Sequence, residues 1–215
     1  GYLIQTDDGE NILVDAGVPR SYRDDLGLLA SQAPIAIEPH RWGPGYDVPG
    51  QLALIGLSPE DIDLLVITHS DLDHLGGVEY LPTSVPVLTS TAERDLGVPA
   101  PTNPGAYDSW PERDYILVDH VDQELRPGVQ LLATPGHTPG HFSLLVELPS
   151  GDSFVLAADA IKMQGEIPTT GTDVEAAQQS AERLRALAQQ RDASLIYGHD
   201  GPQWYSLRLA PEYYD

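Results

Sequence analysis

The sequence predicts a mixed α/β fold, and three observations carry that reading. Apolar runs of strand length recur along the chain, at residues 11–15, 64–68, 87–89, 115–118, 129–134, 142–148, 153–158 and 194–197. Several are almost wholly apolar, as strands buried on both faces are. Helical segments are interleaved between them, the order from which sheets covered by helices are built. Pro and Gly gather at 34–50 and 99–111. Those segments read as long loops, and loops of that length in a compact domain usually shape a binding site.

The chain enters its first element at once. Gly1-Tyr2-Leu3-Ile4-Gln5-Thr6 reads as a strand followed by a polar turn, without Met or a basic leader. Residues upstream are therefore expected, the first strand is expected to be truncated, and export stays open. Ser58-Pro59-Glu60-Asp61 offers an N-cap, Pro at the first helical position and acids in the first turn. The strongest helix is expected over 173–190. There Thr172 and Glu175 form a capping box, and Ala177, Ala181, Leu184 and Ala188 recur at helical spacing. No repeat or low-complexity linker interrupts the 215 residues, so one domain spanning 1–215 is expected. The pattern alone leaves one sheet or two open.

Composition removes several function classes. Hydrophobic residues make up 41% of the chain, enough for a core. No stretch approaches the roughly 18 uninterrupted apolar residues of a membrane span, so a soluble protein is expected. Cys is absent, which excludes disulfides, thiolate catalysis and Cys-containing zinc sites and is compatible with a cytoplasmic location. The net charge of −22 comes from 33 acidic against 11 basic residues, and Lys162 is the only lysine. That field repels phosphate backbones and anionic lipid, which argues against nucleic-acid and membrane partners. A solvated acidic surface accounts for most of the charge.

The chemistry gathers at strand ends. Leu65-Val66-Ile67-Thr68-His69-Ser70-Asp71-Leu72-Asp73-His74-Leu75-Gly76-Gly77 runs a buried strand into four potential metal ligands within six residues, then into two glycines. His69 and Asp71 share a face if the strand geometry persists. Asp73 and His74 then occupy the turn, which the glycines let bend sharply. Buried without a cation, four such groups would repel one another or stay unsatisfied; a surface cluster of unrelated polar groups is the alternative. The same syntax returns three times: Leu131-Leu132-Ala133-Thr134-Pro135-Gly136-His137, Phe154-Val155-Leu156-Ala157-Ala158-Asp159, and Ser194-Leu195-Ile196-Tyr197-Gly198-His199-Asp200. Imidazole and carboxylate without sulfur suit divalent Zn, Mn, Fe, Co or Ni. Seven donors exceed one tetrahedral ion, so two ions sharing a bridging carboxylate are expected.

These blocks resemble the metallo-β-lactamase superfamily, most nearly its N-acyl-homoserine lactone lactonase (quorum-quenching) branch. The resemblance also runs through Asn11-Ile12-Leu13-Val14-Asp15-Ala16-Gly17, Gly56-Leu57-Ser58-Pro59-Glu60-Asp61-Ile62-Asp63, Leu125-Arg126-Pro127-Gly128-Val129 and Thr134-Pro135-Gly136-His137-Thr138-Pro139-Gly140-His141. It implies a four-layer αββα sandwich with the metals at one edge of two facing sheets. It places His69, Asp71 and His137 on one ion and Asp73, His74 and His199 on the other, with Asp159 bridging.

Two positions depart from the family pattern. Asp71 stands where the motif His-x-His-x-Asp-His has its second histidine; an Asp oxygen reaches about as far as the near ring nitrogen. Asp71, Asp73, Asp159 and a hydroxide would then offset all four charges of two divalent ions. A weaker Lewis acid follows, favouring Mn or Fe over Zn. Lys162 stands where lactonases of this branch carry a tyrosine that helps hold the substrate carbonyl, and its ammonium could stabilise an oxyanion.

The resemblance implies that a metal-bridging hydroxide opens a small-molecule ester or lactone, most nearly an N-acyl-homoserine lactone. Asp73 is the candidate proton shuttle and Lys162 the candidate carbonyl partner. A homodimer is compatible with this reading. A thioesterase of the glyoxalase II type, a phosphodiesterase of the same fold, and a catalytically degenerate metal-binding protein are the alternatives. A β-lactamase fits the flanking blocks less well, and the charge disfavours a ribonuclease. Outside the ligand set, His141 reads as a support beside the ligands or a structural residue, His40 and His120 as surface or loop residues. Asp15 reads as a carboxylate supporting the ligands, and Asp200 as either an orienter of His199 or a turn cap. Trp42, Tyr46, Tyr107 and Trp110 read as candidates for an apolar acyl pocket, with ordinary loop packing at least as good a fit.

Overall fold

A computed structural model describes residues 1–25, 43, 45–97 and 109–215. His40, Trp42 and Tyr107, with most of the two expected long loops, lie outside the described residues. The described residues form two compact units, Gly1–Thr89 with Leu96–Leu117, and Ser90–Asp95 with Val118–Asp215. Each carries a five-stranded sheet, which answers the question of one sheet or two. The mixed α/β class is as expected, with the two sheets that the αββα class requires.

In the first unit the sheet order is β1-β2-β3-β4-β5, from Tyr2–Gln5, Asn11–Val14, Leu64–Val66, Val87–Ser90 and Tyr115–Val118. β1 and β2 form an antiparallel hairpin, whose turn Gly9 closes at φ +84° by donating to the Thr6 carbonyl. β2, β3 and β4 run parallel. Their side chains are almost all buried, as the apolar runs predict for central parallel strands. Ile62, Leu65, Ile67, Leu75, Val78, Val87 and Trp110 share one core. Trp110 packs edge-on against Tyr115 within it, so this tryptophan serves packing rather than an acyl pocket. Tyr46 is exposed. The Ser58–Asp61 start signal produces a capping box but only a 3-10 turn, Pro59–Asp61, because the chain leaves for β3.

Among the described residues two short helices precede β3 in this unit, α1 (Arg20–Asp24) and α2 (Val48–Ala53). The second occupies the end of what the Pro and Gly pattern reads as loop. Asp47 caps it by accepting from the Gly50 N–H at 3.0 Å and pairs with Arg23. Burial alone would raise the Asp47 pKa, but the Arg23 guanidinium and the Gly50 N–H bring it below the ordinary carboxylate value. A depressed folded-state pKa contributes stability above the unfolded value, and that contribution fades as pH falls through the folded one. Asp47→Ala should therefore cost about 1 kcal/mol at neutral pH, the usual worth of a cap. Thermal melts should show the difference from wild type shrinking as the solution is acidified.

In the second unit the order is β10-β9-β8-β7-β6, from Ser194–Ile196, Ser153–Leu156, Phe142–Glu147, Val129–Ala133 and Gln123–Arg126. β6 through β9 form an antiparallel meander, and β10 pairs parallel to β9. The polar strand β6 carries no apolar run because it is an edge strand and only partly buried. Between β9 and β10 lies the long helix Val174–Arg191. Its N-cap is Asp173, whose side chain accepts from Ala176 N–H at 3.0 Å. Thr172 is not the cap, since its hydroxyl donates instead to the Gly136 carbonyl. The expected stripe holds: Ala177, Ala181, Leu184 and Ala188 are buried, the last three against Leu132, Leu145, Val155 and Ile161. Burying Leu184 alone is worth about 2 kcal/mol. Among the described residues no helix is long and apolar enough to cross a membrane.

Candidate metal centre

In the first unit the ligand types follow β3 directly, but the strand ends at Val66 rather than running on to the ligands. Asp71 is extended and stands at the N-cap of α3 (Leu72–Leu75), which carries Asp73 and His74 where a turn was expected. His69, Asp71 and His74 are buried and Asp73 is partly exposed. The rings of His69 and His74 lie 4.0 Å apart, centroid to centroid. His69 Nε2 is 3.6 Å from Asp71 Oδ2, and His74 Nε2 is 3.8 Å from Asp73 Oδ2.

Asp15 organises this group from the end of β2. Its Oδ1 accepts from the Thr68 N–H at 2.9 Å, and its Oδ2 accepts from the Thr68 hydroxyl and faces His74 Nδ1, both at 2.8 Å. Burial alone would raise the Asp15 pKa, but His74, then His69 and the Thr68 N–H, hold it below the ordinary carboxylate range. An ionised carboxylate only accepts, so His74 carries its proton on Nδ1. Thr68 spends its hydroxyl proton on Asp15 and therefore accepts from His69 Nδ1, 3.1 Å away. Both rings thus turn an Nε2 lone pair toward an acidic side chain. Lone pairs facing carboxylates in a buried site require a cation, so these donors fit a divalent metal.

Gly76 and Gly77 were expected to allow a sharp bend, but their role is close approach. Gly76 is helical, at φ −57°, and a methyl on it would overlap the Pro19 ring. A methyl on Gly77 would overlap the Ala16 carbonyl oxygen. Backbone cannot give way there. Gly77→Ala should lower unfolding free energy by about 1–3 kcal/mol or more, as overpacking does. Urea titration of the purified variant measures it.

In the second unit the acceptor at the centre is Asp159, just past β9 and buried. His137 Nε2 lies 3.3 Å from its Oδ2, Lys162 Nζ 3.2 Å from the same oxygen, and His199 Nε2 3.0 Å from Oδ1. Each ligand type is delivered by a turn that local sequence explains. Gly136, at φ +130°, lets the chain reverse against the first turn of the long helix, where a methyl would meet Ala177. Gly198 passes tightly beside the Ala158 carbonyl, and the His199 N–H donates to the Lys162 carbonyl at 2.8 Å. Asp200 caps the short helix Gly201–Trp204, and it accepts from Gln164 N–H at 2.7 Å. Lys162 is partly exposed, consistent with access to a ligand from solvent.

One buried group escaped sequence reasoning. Glu93 sits on the helical turn Thr91–Arg94 and is fully buried, accepting from the Thr138 hydroxyl at 2.7 Å and the Gly140 N–H at 3.2 Å. It anchors the loop that follows His137, and no local pattern marks it. His120, expected as a surface or loop residue, lies in the bend between β5 and β6 and is partly buried: its Nε2 lies 2.7 Å from the His141 carbonyl and its ring packs on Phe142.

Comparison with known proteins places this geometry in a family. Residues 1–199 match the metallo-beta-lactamase superfamily. The N-acyl homoserine lactonase AiiA of Bacillus thuringiensis subsp. kurstaki is 32% identical, with 99% of this chain and 85% of that protein covered. The N-acyl homoserine lactonase AttM of Rhizobium radiobacter is 28% identical over 76% of this chain and 68% of its own. Among solved structures, a B. thuringiensis AiiA variant with N-decanoyl-L-homoserine bound at the active site superposes with a TM-score of 0.82. It shares 29% identity and covers 99% of this chain and 85% of its own. An N-acyl homoserine lactone hydrolase with the product N-hexanoyl-L-homoserine bound at its catalytic metal centre gives 0.79, at 28% identity, with the same two shares covered. These matches and the sulfur-free imidazole–carboxylate clusters indicate divalent-metal binding, and the chain belongs to the metallo-β-lactamase superfamily.

Proposed function

We propose that this chain, acting as one catalytic domain, is a metal-dependent lactonase that opens N-acyl-homoserine lactones or close relatives. In this reading His69, Asp71, Asp73, His74, His137, Asp159 and His199 hold two divalent ions. The observation that carries it is the surround of Asp159, where two imidazole nitrogens and one ammonium lie within 3.0–3.3 Å of a buried carboxylate. Support also comes from the relatives, named as lactonases across nearly the whole of this chain. When bound, divalent ions make water acidic enough to attack near neutrality and polarise a carbonyl.

The chain's own residues do the rest. Asp73, the most exposed carboxylate of the set, accepts the proton of the attacking water and returns it to the alkoxide released when the ring C–O bond breaks. The Lys162 ammonium, partly exposed beside Asp159, donates to the oxygen that gains charge as the carbonyl becomes tetrahedral. Asp71 adds a carboxylate where the family motif has an imidazole, which favours a harder ion such as Mn or Fe. The charge of −22 supports a small diffusing substrate rather than a nucleic acid or an anionic lipid surface.

A hydrolysis panel tests the reading: acyl-homoserine lactones, simple lactones, a thioester, a phosphodiester and a cephalosporin, with zinc- and manganese-loaded protein. Lactone opening is the expected activity. Lys162→Gln should lower its kcat by about 10²-fold, the usual loss of one oxyanion donor. Turnover confined to the thioester or phosphodiester would replace the substrate, and no turnover with no bound metal would remove the enzyme. Metal analysis after expression without added zinc should find Mn or Fe; nearly pure zinc would discard the role given to Asp71.

A further inference from the structure

His141 is fully buried in the second unit and is not among the proposed ligands. Both of its ring nitrogens face groups that dictate where its proton sits. Nε2 lies 3.1 Å from the backbone N–H of Asp159. A backbone amide can only donate, so Nε2 accepts and bears no proton. The ring proton is then on Nδ1, which donates to Thr134 Oγ1 at 2.8 Å. Thr134 passes its own proton toward Ser143 Oγ at 3.0 Å, and Ser143 donates to the Ala157 carbonyl at 2.9 Å.

The run of donors thus starts at the amide of Asp159 and ends at the carbonyl of Ala157, closing across Ala158. Ala158 sits at φ +46°, a left-handed conformation that a residue with a Cβ seldom holds unless its surroundings enforce it. Thr134, His141, Ser143 and Ala157 are all without solvent exposure. No bulk water reaches a broken link, so each is costly to lose.

We propose that His141 is a positioning residue for Asp159, locked as its Nδ1–H tautomer by Thr134 and Ser143, and that metal affinity depends on this clamp. The proposal rests on Asp159 being a metal ligand, as argued above. The clamp grips the backbone on either side of Ala158 and leaves the carboxylate itself to His137, His199 and Lys162. A ligand carboxylate held by a preformed turn loses less freedom on binding an ion.

Two measurements test it. Nitrogen-15 spectra of the histidine-labelled full chain should contain, beside the Nδ1–H rings argued above for His69 and His74, a neutral Nδ1–H ring whose signal is lost in His141→Gln. Protonation at Nε2, or averaging between tautomers, would overturn the proposal. Titration with zinc and manganese then reads the clamp. His141→Gln can place its carbonyl oxygen near the Nε2 position and still accept from the Asp159 amide, whereas His141→Asn is too short. The Asn variant should bind metal about 10–100-fold more weakly and the Gln variant should retain most of the affinity. Equal losses, or no loss with Asn, would overturn it. If the Asn variant does not fold, Thr134→Val should free the tautomer and weaken binding while Thr134→Ser preserves both; wild-type behaviour in the Val variant would overturn it. Wild-type protein binding neither ion would overturn the ligand reading and the affinity half of this proposal, and the tautomer spectra would still judge the lock.

Discussion

Alanine at His137 or at His199 should abolish lactone hydrolysis and lower metal content in the same preparation. Each imidazole faces a different oxygen of Asp159, at 3.3 and 3.0 Å. Losing either removes an imidazole nitrogen from beside a buried carboxylate and, in the proposed reading, leaves an ion short of a ligand. The loss of activity should exceed the 10–100-fold typical of an outer-shell partner, so about 10²-fold is the floor. The two variants separate chemistry from folding. His137 is buried, so its alanine also leaves a hole, whereas His199 is partly exposed and its alanine should melt near the wild-type temperature. Metal content by elemental analysis, kcat and a melting curve on each preparation decide the matter. Full activity in either variant would discard the ligand assignment.

The second large effect is expected at Asp15, which no proposed ligand set contains. It accepts three hydrogen bonds inside the first unit, from both donors of Thr68 and from His74. Asp15→Ala would strand all three donors away from water. At about 1–3 kcal/mol for each orphaned group, partly relieved by relaxation, a loss of about 3–5 kcal/mol is expected. For a domain of ordinary stability that is a large part of the whole. Asp15→Asn makes the sharper test. Its carbonyl can still accept from the Thr68 N–H, but its NH₂ would then face His74 Nδ1. The His74 ring must answer by moving its proton to Nε2, the nitrogen needed for metal. Asn should therefore fold better than Ala yet bind metal about 10–100-fold more weakly than wild type. Urea titration and metal titration measure the two effects separately. Wild-type affinity in Asp15→Asn would show that Asp15 serves stability alone.

Much of the candidate site could be read in the chain because strand ends leave a local signature. The runs ending before His69, His137, Asp159 and His199 are apolar and short, and each hands over to a polar group within a few residues. That order survives in any arrangement that buries the runs. The fold class followed for the same reason, since burial on both faces and helical spacing are one-dimensional patterns. Elements without such a pattern did not show themselves. β6 is polar because it lies at a sheet edge. α3 is a single turn started by Asp71, too short for periodicity. The residue before a helix could be Thr172 or Asp173 on composition, and only the Thr172 bond to Gly136 decides for Asp173.

By itself, then, the sequence determined which side chains can hold a cation, which runs must be buried, and that no sulfur takes part. Side-chain chemistry and spacing are properties of the chain. Tertiary structure alone decided what supports those side chains: Asp15 and Thr68 setting the rings of His69 and His74, Glu93 tying the loop after His137, and His141 gripping the turn of Asp159. Gly76 and Gly77 belong to the same class, since what their absent methyl groups would strike lies some sixty residues away in Pro19 and Ala16. Hydrogen bonds of this kind join distant segments, and a buried polar group is told from an exposed one only once the segments have packed.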